Sequence, residues 1–466
     1  MMQINVNCIR TTPASLLRKA GLSAAILSLS LANAFAAPSF DQPDPNFGGR
    51  INASGVIYAG SEAELSGRGF TPGQEVTLLQ NGNPLTAQAL VADKDGQINT
   101  KVAIPAQAAI GLHPVVVQVS KPSAATVFEL KVSPKVALSG QDQFELQSQK
   151  LVPGLYQSAY SPKNKTLFVT SAVGRPPVKE SQLLKVNPQT LAIEARVTPA
   201  AQKSRNDGQV QAVYGVGVDD AQGNVWVTNT RSDTIAVYSQ KDLKLVKQFE
   251  DGAASHARDV VIDEKAQRAY VSSPGSEQLS VFDTKKLTAL EPIKLKTNTR
   301  DYLSPMSLAL DAEQGRLYTV SASTNELLII DLKNGNAQTI YALPGARNAS
   351  GVAVDSKNGR VYVASQSSDN LLIVNAKDGK VLHQVQIGAG ALNVTYDPKT
   401  ELAYVAARGA GTVTAVNGKG EIVANLDGGS FPNHLSLDGQ GNAYLVNKAK
   451  GKDDPSADRI TRISLK

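Results

Sequence analysis

Short runs of alternating apolar and polar residues fill the segment 53–132, and turn sequences such as Pro72-Gly73 and Asn81-Gly82 separate them. Alternation with a period of two is typical of β-strands that bury one face. Seven such runs lie within about 80 residues, and this density of short strands predicts a β-sandwich over residues 51–134.

From residue 142 to residue 466 the pattern becomes a repeat of about 41 to 48 residues. Each unit holds strand-like runs, with an aspartate (Ser161 in the first unit) at the end of the first run and an aromatic residue in the second, as in Asp355 and Tyr362. A four-stranded repeat of this length is typical of a propeller blade. The chain is therefore predicted to be all-β, with a seven-bladed β-propeller over residues 142–466; an open solenoid is the alternative.

The seventh unit ends after its third strand-like run, at residues 459–465. The run at 143–152, just before the first unit, belongs to no blade and can supply the missing strand. Closing the ring with strands from both ends of the propeller removes an exposed sheet edge. We therefore expect these two runs to pair in one blade.

Several stretches resemble known families. The segment 351–363 (GVAVDSKNGRVYV) resembles the YVTN-type propeller repeat, and the stretches 154–171 and 432–437 (PNHLSL) resemble the YncE family of bacterial periplasmic propellers. The segment 66–70 (SGRGF) resembles bacterial immunoglobulin-like modules. The YncE resemblance implies single-stranded DNA as one ligand. The added N-terminal module departs from that family, so its role cannot be carried over.

Residues 1–36 contain three basic residues and no acidic residue, followed by an apolar stretch and Ala34-Phe35-Ala36. This order predicts a cleaved secretory signal and a periplasmic protein, with a retained membrane anchor as the alternative. The formal charge is +6, from 47 basic and 41 acidic residues, and falls to about +3 without the leader. The only cysteine, Cys8, leaves with it, so the mature chain has no thiol chemistry.

Catalytic motifs are absent from the sequence, and only four histidines occur. His113 and His383 are expected on ordinary strands, whereas His256 and His434 begin blades near the channel mouth. A cluster at that mouth is the weak candidate for chemistry, with Asp259, Asn393, Asn433 and His434 as its members. No enzyme activity, cofactor or metal ion is expected. The recurring aromatic residues, Trp226 included, are expected to pack between blades.

The loop between the second and third strands is longer in the first and seventh units than in the others. Loops that depart from a rigid repeat often carry function, and these loops with their neighbours are basic. The candidate residues for binding nucleic acid or another anion are Arg175, Lys179, Arg231, Arg258, Arg408, Lys448, Lys450 and Lys452. Tyr156 and Tyr214, at the entries to blades 1 and 2, are expected to be exposed rings and are the candidates for base stacking.

These features predict a periplasmic, non-catalytic binding protein whose basic loop face takes single-stranded DNA or another anionic polymer. One alternative is a cell-envelope scaffold or carrier for an outer-membrane uptake partner, which would dock through the N-terminal domain. The other is a lactonase- or lyase-type enzyme. Salt-dependent binding to oligonucleotides separates the first from the second.

Overall fold

The computed structural model describes residues 40–466, so the expected leader at 1–36, with Cys8, lies outside the described residues. Within the described range the regular structure is almost entirely strand, and two one-turn 3-10 helices occur at Gln141–Gln143 and Thr230–Ser232. No helix in this range is long and apolar enough to cross a membrane. The all-β prediction is confirmed.

Residues 50–132 form two sheets that share one core. Their strands are β1 (Arg50–Ser54), β2 (Glu62–Arg68), β3 (Glu75–Gln80), β4 (Asn83–Pro84), β5 (Leu90–Val91), β6 (Ile98–Ala103), β7 (Gly111–Ser120) and β8 (Ala124–Val132). One sheet has the order β1-β2-β6 and the other β4-β3-β7-β8, with β5 also paired to β3. Alternate residues such as Leu65, Val76 and Val117 fill the core, as strand geometry requires. The immunoglobulin-like assignment of residues 51–134 stays a prediction.

Seven four-stranded antiparallel sheets, the blades, make up residues 144–465. The strand before the first blade is β9 (Phe144–Lys150). Blades 1 to 3 contain β10 (Leu155–Ser161), β11 (Thr166–Val173), β12 (Glu180–Val186), β13 (Ile193–Val197), β14 (Val216–Asp219), β15 (Asn224–Asn229), β16 (Thr234–Ser239), β17 (Leu245–Gln248), β18 (Val260–Asp263), β19 (Arg268–Val271), β20 (Gln278–Asp283) and β21 (Thr288–Lys294).

Blades 4 to 6 contain β22 (Pro305–Asp311), β23 (Arg316–Ser321), β24 (Glu326–Asp331), β25 (Ala337–Ala342), β26 (Ala349–Asp355), β27 (Arg360–Ser365), β28 (Asn370–Asn375), β29 (Val381–Gln386), β30 (Ala391–Asp397), β31 (Leu402–Ala407), β32 (Thr412–Asn417) and β33 (Ile422–Asp427). Blade 7 contains β34 (Pro432–Leu437), β35 (Asn442–Asn447) and β36 (Arg459–Leu465), followed by β9. The first strand of each blade contacts the first strands of both neighbours, so the seven first strands surround a central channel. The seven-bladed β-propeller is confirmed.

Strands from both ends of the propeller meet in blade 7. Strand β9 is antiparallel to β36, with Lys150 opposite Arg459 at one end and Phe144 opposite Leu465 at the other. Strand β34 contacts β10 of blade 1, which joins the two ends of the ring. The outer edge of blade 7 is therefore covered by a strand that precedes blade 1 in the sequence.

The residues that recur in each blade have structural tasks. The Oδ1 atoms of Asp263, Asp311 and Asp355 accept hydrogen bonds of 2.8 to 3.1 Å from main-chain amides three residues further on, which forms the turn into the second strand. Trp226 and Tyr362, from the aromatic series, are completely buried. These side chains form the core between neighbouring blades and are not available to a ligand.

The N-terminal domain lies against loops of the propeller. Lys131 Nζ lies 2.6 Å from Oδ1 of the buried Asp369, and it also donates a hydrogen bond of 3.1 Å to the carbonyl oxygen of Gln366. A second ion pair, between Arg347 and Glu129 at 3.3 Å, is exposed. The contact therefore includes one largely buried ion pair and one exposed pair, beside the loop between β27 and β28.

Candidate functional site

Two kinds of loop leave the propeller at the same end, because the four strands of each blade are antiparallel. They are the loops between second and third strands and the connections from one blade to the next, and we call this end the loop face. Every basic residue expected from the sequence lies on these loops: Arg175, Lys179, Arg231, Arg258, Arg408, Lys448, Lys450 and Lys452.

A cavity of about 250 Å³ opens on the loop face at the mouth of the channel. The predicted residues that line it are Tyr156, Arg258, Asn393, Arg408, Asn433, His434 and Lys448. They come from blades 1, 3, 6 and 7 or from the connections between them. The ring therefore brings together side chains that are far apart in the sequence, and we call this the cationic cavity.

Three half-buried cations, Arg258, Arg408 and Lys448, share the cationic cavity. None of the three forms an ion pair with a carboxylate in the part of the chain that the structure describes. Lys448 Nζ lies 4.3 Å from the centre of the Tyr156 ring, and the buried Nε of Arg258 has no hydrogen-bond partner. The cavity therefore concentrates positive charge that is not neutralised by ion pairs within the described residues.

The pKa values of these cations show the cost of that arrangement. Burial, together with the charge of Arg408, lowers the pKa of Lys448 from 10.5 to about 8, although Asp458 opposes the shift. Burial also lowers the pKa of Arg408, and Arg258 adds to the effect. Since desolvation and like charges both disfavour the charged forms, an anion bound among these groups would relieve both effects.

One short chain of hydrogen bonds fixes Arg408 in the cavity. The guanidinium donates to Oδ1 of Asn433, and Nδ2 of Asn433 donates to the main-chain oxygen of Tyr156 at 2.6 Å. The guanidinium carbon also lies 4.9 Å from the centre of the Phe431 ring. The position of Arg408 is thus set before any ligand arrives.

The other polar residues at the channel mouth are engaged in structure. Asn393 Oδ1 accepts the amide of Leu435 at 2.9 Å, and Asp259 Oδ2 accepts the amide of Leu308 at 2.9 Å. Asp259 lines the channel of about 480 Å³ below the cationic cavity, and burial raises its pKa. The expected cluster of Asp259, Asn393, Asn433 and His434 is therefore present but made of groups that join blades.

His434 is half-buried and uncharged near neutral pH. Burial, with the charge of Arg258, lowers its pKa to about 3, and its Nδ1 accepts the amide of Ser158 at 3.4 Å. Within residues 40–466 no group of three or more His, Cys, Asp or Glu side chains is arranged to hold a metal ion.

Comparison with known proteins places this chain by sequence. No family model matches it. It is 28% identical over 329 residues to the uncharacterized protein YncE of Salmonella typhi, an alignment that covers 67% of this chain and 88% of the relative. The chain is a YncE-like β-propeller.

Solved structures similar to the YncE-like propeller share its fold at low identity. A streptogramin B lyase matches with a TM-score of 0.55 and 12% identity, over 70% of this chain and 100% of the lyase. The WD40 repeats of RRP9 match with a TM-score of 0.57 and 8% identity, over 71% of this chain and 100% of theirs. At such identity these matches show the fold alone.

Of the eight basic residues predicted to bind an anion, five lie outside the cationic cavity. We call these five the basic rim. All five are exposed to solvent: Arg175, Lys179, Arg231, Lys450 and Lys452. Lys450 Nζ lies 5.6 Å from the centre of the Phe431 ring, which Arg408 also contacts. The rim and the cavity are therefore linked through Phe431.

Tyr214 is not an exposed ring, contrary to the expectation from the sequence. It is only 6% exposed and packs with Val178 in a small core under the neighbouring loop. Its ring meets the Tyr156 ring at 90°, with the centres 5.0 Å apart. Tyr156 itself is half-buried, with Lys448 over its ring. These two tyrosines form a wall of the site, and neither is an open platform for base stacking.

Two further features of the site escape the sequence prediction. The connection at residues 198–215 is the longest between blades of the described propeller, and its Val210 amide donates to the carbonyl of Val178 at 2.9 Å. It thereby supports the loop that carries Arg175 and Lys179. The unusual length of the connection at 198–215 is visible in the sequence when the repeats are compared. Nothing in the repeat marks Phe431, because its role depends on Arg408 from another blade.

Proposed function

We propose that this YncE-like propeller is a non-catalytic binding protein that takes an anionic polymer on its loop face, with single-stranded nucleic acid as the preferred class. The observation that supports this most strongly is the cationic cavity, where Arg258, Arg408 and Lys448 stay half-buried and form no ion pair with a carboxylate of residues 40–466. A protein gains nothing in stability from such charges, since buried charges are normally paired. An anionic ligand supplies the missing partner.

The basic rim extends this charge beyond the cavity. Its five exposed residues can contact further phosphates of a flexible strand, while the cavity holds one group in a fixed place. Contacts to phosphates give affinity with little sequence readout. A cavity of about 250 Å³ has no room for a duplex, which favours a single strand. The expected periplasmic location forms part of the proposal and depends on the leader at 1–36.

Enzymatic activity has less support in the site. The fold is shared with a streptogramin B lyase, but at 12% identity. His434 is the histidine that lines the cavity, and a pKa of about 3 makes it a weak base at neutral pH. Binding without chemistry therefore fits these residues better than a lyase reaction.

The test is binding of a fluorescein-labelled single-stranded oligothymidylate over a series of salt concentrations, followed by fluorescence anisotropy. Affinity should fall steeply with salt, and each phosphate contact that a variant loses should reduce the slope by about 0.7. The variants are Arg408→Met with Lys448→Met for the cavity, and Lys450→Ala with Lys452→Ala for the rim. Both pairs should weaken binding and flatten the salt dependence.

The matched control is Lys285→Ala with Lys286→Ala. Both lysines are exposed on the turn between β20 and β21, at the opposite end of the propeller. If the control pair weakens binding as much as the cavity pair does, the attraction is diffuse charge and the proposed site is wrong. Failure of every variant set and of the native protein to bind would favour the scaffold or carrier alternative.

A further inference from the structure

We infer that the cationic cavity recognises a terminal phosphomonoester in preference to the internal phosphodiesters of a strand. The inference rests on the proposed function, because it names the group that the same cavity takes. It depends on three properties of the site: the number of unpaired charges, the size of the cavity and the prior placement of its arginine.

The first property is charge balance. Arg258, Arg408 and Lys448 bring three positive charges to one cavity, and none is paired with a carboxylate among the residues that the structure describes. The carboxyl groups of Asp458 and Asp259 offset part of this excess. An internal phosphodiester carries one negative charge and compensates less of the remainder than a doubly charged group does. A phosphomonoester carries about 1.5 to 2 negative charges at neutral pH and three strong acceptor oxygens. It matches the cavity more closely in both charge and acceptor number.

The second property is size. The cavity holds about 250 Å³, which lies below the range of about 300 to 1,000 Å³ that is usual for pockets that enclose a drug-sized ligand. Asn393 and His434, which also line the channel, lie at its inner side, and Tyr156 forms a wall. A chain end can enter such a space with its phosphate first, whereas an internal phosphate would have to bring both flanking nucleotides with it.

The third property is preorganisation. The guanidinium of Arg408 is held by Asn433, whose amide is in turn held by the carbonyl oxygen of Tyr156. A planar guanidinium in a fixed place can bind two phosphate oxygens at once. His434 accepts a hydrogen bond at Nδ1, so its neutral ring carries the proton on Nε2 and can serve as a further donor. These groups need little rearrangement to receive three oxygens at one phosphorus atom.

The experiment compares three oligothymidylates of one sequence that carry a 5′-phosphate, a 3′-phosphate or no terminal phosphate, with binding measured by competition against a labelled strand. We expect at least one phosphorylated end to bind roughly tenfold more tightly than the unphosphorylated strand, as one added charge-assisted contact would produce. Arg408→Met and Lys448→Met should abolish the preference. Lys285→Ala with Lys286→Ala should retain it.

A further arm uses thymidine monophosphate, thymidine and inorganic phosphate as competitors, because the same phosphate chemistry could come from a free small molecule. Competition by the mononucleotide and not by thymidine supports the inference, and tighter binding of the mononucleotide than of any strand identifies a small phosphate ester as the ligand. Equal binding of all three strands overturns the inference but leaves the proposed polymer site intact. Absence of binding by every probe overturns both.

Because Arg408→Met could disturb folding, Arg408→Lys provides a second variant. It keeps the charge and removes the fork that binds two oxygens. If the arginine positions the phosphate, Arg408→Lys should bind the unphosphorylated strand nearly as well as the native protein and lose most of the preference for the phosphorylated end. If Arg408→Lys keeps the full preference for the phosphorylated end, the charge at this position determines the preference and the shape of the guanidinium does not. That result contradicts the assigned role of Arg408.

Discussion

Replacing Lys448 with methionine should stabilise the protein at neutral pH, although the residue belongs to the binding site. Burial and Arg408 lower the pKa of Lys448 from 10.5 to about 8, which means that the folded protein holds this proton less tightly than the unfolded chain does. Methionine has a similar length and no charge. It should keep the packing against Tyr156 and remove the cost of the buried ammonium group.

The magnitude follows from the two pKa values. At pH 7 the amine is protonated in both states, and the lowering of the pKa of Lys448 from 10.5 to about 8 corresponds to a cost of about 3 kcal/mol. Between pH 8 and pH 10.5 the unfolded state binds more protons than the folded state, so stability of the native sequence rises with pH there. At pH 10 the cost is below about 1 kcal/mol. The lost contact between Lys448 and the Tyr156 ring offsets about 0.5 to 2 kcal/mol.

The assay is urea denaturation of the native protein and of Lys448→Met at pH 7 and at pH 10. We expect a net gain of about 1 to 3 kcal/mol for the variant at pH 7 and no gain at pH 10. Lys285→Met, at an exposed position, is the control and should stay within about 0.5 kcal/mol of the native protein at both pH values. A variant that is less stable at pH 7, or equally stabilised at both pH values, would refute the reasoning.

Three further predictions concern the ring, the domain contact and the pH dependence of binding. Deleting residues 37–141 should leave a folded propeller. Deleting residues 37–153 also removes β9, which pairs with β36, and should lower the melting temperature substantially. Equal melting temperatures for the two truncated proteins would contradict the closure of the ring by these two strands. Lys131→Met leaves the buried Asp369 without its ion pair and should lower the free energy of unfolding by about 1 to 3 kcal/mol in chemical denaturation. Arg347→Ala, in the exposed pair, should lower it by less than about 1 kcal/mol. Similar losses for the two variants would argue against the burial of the first pair. Oligonucleotide affinity should hold below pH 8 and fall above it as Lys448 loses its proton, and Lys448→Arg should flatten that profile in the same anisotropy assay.

The fold could be predicted from the sequence because each blade repeats the same physical requirement. The aspartate at the first turn and the buried aromatic residue in the second strand recur since every blade must form the same turn and fill the same gap between sheets. The missing fourth strand of blade 7 pointed to β9 for the same reason, because an unpaired edge is a liability in any sheet. The repeat in the sequence therefore predicts the turns and the packing that all seven blades have in common.

The site could be predicted only in part, because it depends on what the blades do not share. The loop face and its basic residues follow from the repeat, but the grouping of Arg258, Arg408 and Lys448 in one cavity depends on how the loops of three regions pack. The error at Tyr214 has the same origin. Its position next to a blade entry suggested exposure, whereas Tyr214 packs against Val178 and Tyr156 of blade 1 and is buried.

Hydrogen-bond satisfaction separates structural from binding groups at the channel mouth. Gln157 and Asn393 lie in first strands and Asp259 directly precedes one, and each accepts a main-chain amide of the following blade at 2.9 to 3.1 Å. These polar groups stabilise the ring, and the oxygen atoms that accept these hydrogen bonds are already engaged within the protein. The cations of the cavity form no ion pair with a carboxylate in the described part of the chain, and burial together with their mutual repulsion lowers the pKa values of Lys448 and Arg408. Groups whose charge the fold leaves uncompensated are those that a ligand can satisfy, which is why the binding proposal rests on the cations and not on the carboxylate or the amides beside them.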